Sequence, residues 1–168
     1  MSTPLRASIG PLGDQAMLLT LEGDREQCNR AIVRLAAALR AEGQADAPPA
    51  IVDVVPALIS LAVFYDPRLV PSTAIERRLR DLADRVDHLG DAGNVGRLHV
   101  VPVRYDGSDL SEVARTAGLD PGDVARRHAA REYRVRFLGF APGFAYLGPL
   151  DPALVVPRRS EPRRRIPA

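Results

Sequence analysis

Along the first half of the chain the apolar positions change period from two to about 3.6 and back again. Gln15 to Leu21, behind a Gly13-Asp14 turn, is an apolar run long enough for one strand. Asp24, with Gln27 three residues on, has the spacing of a capping box, and Cys28, Ala31, Ile32, Leu35 and Leu39 then recur on one helical face. Gly43 closes this helix, and the Ala/Pro stretch 45–50 reads as a loop. Ile51 to Val55 is a β-branched strand. Ile59, Leu61, Val63 and Tyr65 alternate with Ser60, Ala62 and Phe64 until Asp66-Pro67 stops the run. Thr73 with Glu76 predicts a second capping box, opening a helix with Ile75, Leu79, Leu82 and Val86 on one face. The order β-α-β-β-α predicts a small α+β domain whose helices cover one face of an antiparallel sheet.

Residues 87–97 are polar and carry Gly90, Gly93 and Gly96, which marks a boundary between a domain at 1–90 and a second at 96–168. Beyond it Leu98 to Tyr105 reads as a strand. A short helix follows from near Ser108-Asp109, with Leu110, Val113, Ala114 and Ala117 on one side and Gly118 at its end. Asp120 caps the next helix, with Pro121 at its first position and Asp123 in its first turn. Glu132 to Leu138 returns to a strand pattern, and no internal repeat appears.

Composition sharpens this only in places. With 46% apolar and 26% charged residues in 168, the chain is that of a folded protein. One cysteine, Cys28, allows no internal disulfide and fits a reducing, cytoplasmic setting. No apolar run approaches the roughly 18 residues of a membrane span, so no membrane partner is expected. The net charge of +2 is uneven: Arg158, Arg159, Arg163, Arg164 and Arg165 against Asp151 and Glu161 leave a local excess of +3 after residue 150. No aromatic side chain is interleaved with these arginines to stack bases, and no nucleic-acid partner is expected.

Five of the eight aromatic residues, Tyr133, Phe137, Phe140, Phe144 and Tyr146, fall within fourteen positions, interleaved with Gly139, Pro142, Gly143 and Gly148. Pro-Gly makes a tight turn. Rings on such a turn suit a flat ligand or a partner protein; alternatively they fill the core of a strand–turn–strand. The familiar catalytic patterns are missing: there is no Gly-x-x-x-x-Gly-Lys-Ser/Thr phosphate loop and no Gly-x-Ser-x-Gly elbow. Cys28 sits on an apolar helix face, as an inert core thiol does. His88, His99 and His128 lack metal-ligand spacing, so no metal site is expected. His128, at a helix end just before the aromatic segment, reads as a surface or capping residue or as a base.

The segment Gly139-Phe-Ala-Pro-Gly-Phe-Ala-Tyr-Leu-Gly148, with Leu150-Asp151, Pro157-Arg158-Arg159, Pro162-Arg163 and Ile166-Pro167-Ala168, resembles the family that holds the 5-oxoprolinase B subunit, the kinase inhibitor KipI and allophanate hydrolase subunit 1. Gly13-Asp14-Gln15-Ala16, Val52 to Ala57, Tyr65-Asp66-Pro67, Pro102 to Tyr105, and His128 with Glu132 to Val135 extend it over nearly the whole chain. The resemblance implies a ferredoxin-like-type α+β domain followed by the first part of a cyclophilin-like β-barrel. Family members continue past the Ile-Pro-Ala position with further strands, so the barrel is expected to be incomplete within these residues. It also implies the B component of an ATP-dependent 5-oxoprolinase, with the A and C subunits as partners, a small-molecule substrate, and ATP with Mg²⁺ at the level of the complex. An allophanate hydrolase or urea-amidolyase component and a KipI-like inhibitor of a sensor histidine kinase are the other readings. In the oxoprolinase scheme Phe140, Phe144 and Tyr146 wall a pocket or interface, Gly139 and Gly143 allow close backbone approach, Pro142 belongs to the same binding segment through its turn, His128 stands by the segment, and Arg158 or Arg159 faces an anion.

Overall fold

The computed structural model describes residues 5–43, 50–89 and 96–161. Ten regular elements follow in the order β1 (Arg6–Pro11), β2 (Ala16–Glu22), α1 (Arg25–Gly43), β3 (Ile51–Pro56), β4 (Ser60–Tyr65), α2 (Ser72–Asp84), α3 (Leu110–Ala117), α4 (Pro121–Ala129), β5 (Arg134–Leu138) and β6 (Ala145–Gly148), with a 3-10 turn at Pro152–Leu154. The class is α+β. The described chain divides into two compact units, one of residues 1–97 with 136–146 and one of residues 98–135 with 147–168. The aromatic turn therefore groups with the N-terminal unit rather than with the rest of segment 96–168.

In the first unit four strands run in the order β1-β2-β4-β3, every neighbour antiparallel. Leu19 faces Leu61 and Met17 faces Val63 across β2 and β4, so period-two alternation puts one apolar row of each strand on the same face. That face meets Cys28, Ile32, Leu35 and Leu39 of α1 and Ile75, Leu79 and Leu82 of α2 in one continuous buried cluster. The helical and strand spacings thus place the core residues they predict. Asp24 caps α1, its Oδ1 accepting from the Gln27 amide at 3.0 Å.

Two local expectations are corrected in this unit. β1 pairs with β2 although the apolar pattern predicts no strand there: Arg6-Ala-Ser-Ile-Gly-Pro has few apolar positions, and β1 is an edge strand with mostly exposed side chains. Thr73 and Glu76 form no capping box; α2 starts at Ser72 behind Pro71, with no side-chain cap hydrogen bond. Glu76 instead pairs with Arg80 at 2.8 Å, one helical turn on.

The second unit holds α3 and α4 over a small core of Ala114, Val124 and Leu154. Gly118 ends α3 at φ +68°, the left-handed geometry of a helix C-cap, and Asp120 caps α4 by accepting from the Asp123 amide at 2.9 Å. That hydrogen bond also holds the Asp120 carboxyl below its ordinary range. The strand expected over Leu98 to Tyr105 does not form; these residues have no regular structure, and Val100 is 88% exposed. β-branched propensity makes no strand by itself, because the backbone needs a neighbouring ladder to satisfy its N–H and C=O groups. Besides these helices, the described residues of this unit include the first residues of β5 and the last of β6. Gly90, Gly93, Pro162, Arg163, Arg164, Arg165 and Ile166-Pro167-Ala168 lie outside the described residues.

Candidate functional site

β5 and β6 form a two-stranded hairpin whose connection carries the aromatic residues. Phe144 N–H donates to Ala141 C=O at 3.0 Å and Gly143 has φ +76°, so Ala141-Pro142-Gly143-Phe144 closes a turn with proline in its second position and glycine in its third. Gly143 takes the positive φ that the turn requires, and no atom of the chain lies within 4 Å of where its Cβ would stand. A Cβ on Gly139 would meet the Phe137 and Tyr146 rings at 3.8–3.9 Å, ordinary contact.

The rings do not fill a core. Phe137 stacks on Tyr146 at 4.2 Å between centroids, with 11° between planes. From Tyr146 an edge-to-face chain runs outward through Phe144 (5.2 Å) to Phe140 (5.6 Å). Phe144 is 47% exposed and Phe140 91%. Phe140 also holds φ +69°, a left-handed conformation that costs a bulky side chain about 1–2 kcal/mol. Phe140 thus combines backbone strain with a ring that little packing repays. Gly139, Phe140, Pro142, Gly143, Phe144 and Tyr146 are thus brought together on one hairpin.

The hairpin is held by residues that the sequence motifs do not single out. Asn29 on α1 is 3% exposed, and its Nδ2 donates to Leu58 C=O at 3.4 Å and to Arg136 C=O at 3.2 Å. The Arg136 guanidinium, with its side chain 9% exposed, grips Glu26 in a fork: Nη1 meets Oε1 at 2.6 Å and Nη2 meets Oε2. Two turns of α1 therefore fasten the base of the hairpin. The available signal was a polar Asn29 placed i, i+3 and i+7 with Ile32 and Ala36 on the apolar stripe.

His128, Arg158 and Arg159 belong to the other unit. Tyr105 Oη lies 2.8 Å from His128 Nδ1, and Tyr133 O–H donates to the His128 carbonyl at 3.0 Å. Burial above all, and Tyr105 after it, holds the Tyr133 phenol above its ordinary value, so it acts as a protonated donor. The Ala153 amide holds the Asp151 carboxyl low, helped by Arg127 at 3.4 Å. Arg159 is engaged with Asp109 at 2.9 Å and Glu112 at 3.2 Å, and both it and Arg158 are exposed. A cavity of about 320 Å³ between β1 and α2 is lined by Leu5, Ile9, Leu21, Ala83 and Val86 among others, and by none of the sequence-predicted site residues. No group of three or more His, Cys, Asp or Glu side chains among the described residues is arranged to hold a metal, and no described helix is long and apolar enough to cross a membrane.

The family model for the carboxyltransferase domain, subdomain C and D, matches residues 7–168. The chain is 38% identical to the 5-oxoprolinase B subunit of Bacillus subtilis over 98% of its own length and 72% of that protein's. It is 37% identical to the 5-oxoprolinase B subunit of Escherichia coli O157:H7 over 71% of this chain and 55% of that one. A crystal structure of TTHA0988 superposes with a TM-score of 0.71 at 38% identity, covering 98% of this chain and 30% of that one. The chain thus spans about a third to three quarters of the length of these relatives. It belongs to the carboxyltransferase subdomain C and D family, alongside relatives named as the B subunit of 5-oxoprolinase.

Proposed function

We propose that this chain serves as the B subunit of an ATP-dependent 5-oxoprolinase, in which 5-oxoproline, ATP and water give glutamate, ADP and phosphate. The observation that carries the reading is the 38% identity, over 98% of the chain, to a protein of that name. The exposed, strained aromatic hairpin supports it, because a component that binds and positions needs a rigid contact surface more than it needs a nucleophile. Phe140, Phe144 and Tyr146 form that surface for substrate or a neighbouring protein, and the partners are the A and C subunits. A lactam amide is a poor electrophile, which explains the demand for ATP with Mg²⁺: phosphate on the amide oxygen makes the carbon open to water. The experiment is reconstitution. The full-length protein with its A and C partners should turn 5-oxoproline into glutamate only when ATP is present, and the purified chain alone should turn over no ATP. Activity of the A and C subunits undiminished when this protein is left out would overturn the reading.

A further inference from the structure

His128 in the last turn of α4 is held by two tyrosines. Tyr105 meets its ring near edge-on, with centroids 5.8 Å apart and 75° between planes, and puts Oη 2.8 Å from Nδ1. Tyr133 leans on the same ring at 5.1 Å and 31°, and its hydroxyl holds the His128 carbonyl at 3.0 Å. Backbone and imidazole are both pinned, yet the residue is only half-buried and Nε2 has no hydrogen-bond partner among the described residues. Two ring contacts and a hydrogen bond thus fix the orientation of a ring whose far nitrogen is left open. A base oriented by a second group through one nitrogen, with the other aimed outward, is the arrangement of a proton-transfer residue. The charged groups around the tyrosine supports are Arg131, Asp151 and Arg127; Asp151 pairs with Arg127 at 3.4 Å and also feels Arg131, so among these three positive charge exceeds negative by one, which suits a carboxylate.

We propose that His128 is an acid–base residue, with Nδ1–H donating to Tyr105 Oη and the Nε2 lone pair meeting a small carboxylate-bearing amide or lactam. The choice of ligand rests on the 5-oxoprolinase reading; the tautomer does not. In the step assigned to it, water adds to the carbon of the O-phosphorylated lactam and gives one proton to Nε2. The ring C–N bond then breaks with its electron pair remaining on nitrogen, which takes that proton back from Nε2, while the added oxygen becomes the carbonyl of an acyl phosphate that a second water hydrolyses to release phosphate. The imidazole ends as it began, and Tyr105 is a positioning residue that fixes the tautomer.

Two measurements decide this. Long-range proton–nitrogen NMR of the full-length protein, with only three histidines to assign among these 168 residues, should show Nε2 of unliganded His128 without a proton and Nδ1 bearing it. A proton on Nε2 in the neutral ring would overturn the proposal whether or not the oxoprolinase reading stands. In the reconstituted complex His128→Gln should lower kcat by about 10²–10⁴-fold. Tyr105→Phe should lower kcat with KM for 5-oxoproline unchanged. Full kcat in His128→Gln, with the parent complex active, would overturn the acid–base role and leave the proposed function intact. A parent complex that never opens 5-oxoproline would defeat the proposed function instead, and the tautomer measurement would still decide this proposal.

Discussion

Removing the Asn29 amide should loosen the aromatic hairpin from α1, and the cost can be worked from two contacts. Asn29 is 3% exposed and donates to the carbonyls of Leu58 and Arg136 at 3.4 and 3.2 Å. Each such bond contributes about 1 kcal/mol net, and the truncation leaves a small void beside two carbonyls that have lost a donor. Asn29→Ala should therefore destabilise by about 2–3 kcal/mol, a fall in Tm of roughly 4–12 °C for a chain of this size. Asn29→Asp is the sharper test. It keeps the shape but turns a donor into an anionic oxygen facing two carbonyl oxygens in a buried site. Burial and those oxygens raise the folded-state pKa of the new carboxyl above its unfolded value of about 3.9. Its penalty is therefore absent below that value and grows as pH rises through it, so Asn29→Asp should lie nearest the parent close to pH 4 and furthest below it at pH 7. The assay is thermal unfolding at both pH values, with hydrogen exchange at Gly139, whose amide bonds Phe144 C=O at 3.1 Å, reporting the hairpin itself. Asn29→Ala melting within 1 °C of the parent, or Asn29→Asp no worse than Asn29→Ala at pH 7, would refute the clamp.

Other outcomes follow from the same structure. Leu19→Ala, at a fully buried position opposite Leu61, should cost about 2–5 kcal/mol in chemical denaturation, and a loss below 1 kcal/mol would mean that the sheet–helix core is misplaced. Asp66, gripped by the Arg68 side chain, has its carboxyl lowered to about 2. Its contribution is present above the unfolded value near 3.8 and lost as pH falls through about 2, and Arg68→Ala should move its NMR titration midpoint back up. Gly143→Val meets no atom within 4 Å but places a β-branched residue at φ +76°, so it should lower hairpin protection in hydrogen exchange without unfolding the four-stranded sheet.

The parts of the fold legible in the sequence are those where one periodicity decides the outcome. The stripe from Cys28 to Leu39 and the alternation from Ile59 to Tyr65 place the buried rows of α1 and β4 because burial there depends on spacing alone. β1 escaped because an edge strand with exposed side chains takes its structure from pairing with β2, and pairing leaves little mark in composition. Leu98 to Tyr105 failed in the opposite direction, with strand propensity but no ladder. At the site, the aromatic cluster and its Pro-Gly turn stood out as a local motif. The residues that hold it did not, since Glu26 and Arg136 are 110 positions apart and a single asparagine on an apolar stripe names no partner. Tyr105 and His128 meet across 23 residues for the same reason.

The most direct test of the aromatic hairpin as the working surface is Phe140→Gly in the full-length protein. Phe140 is 91% exposed at φ +69°, so glycine removes contact area and backbone strain without opening a core. The melting temperature should stay within a few degrees of the parent or rise. Affinity for the A and C subunits, or kcat/KM for ATP-dependent opening of 5-oxoproline, should fall by about 30-fold or more, the equivalent of an interface hot spot near 2 kcal/mol. Unchanged stability together with full affinity and full activity would contradict the account.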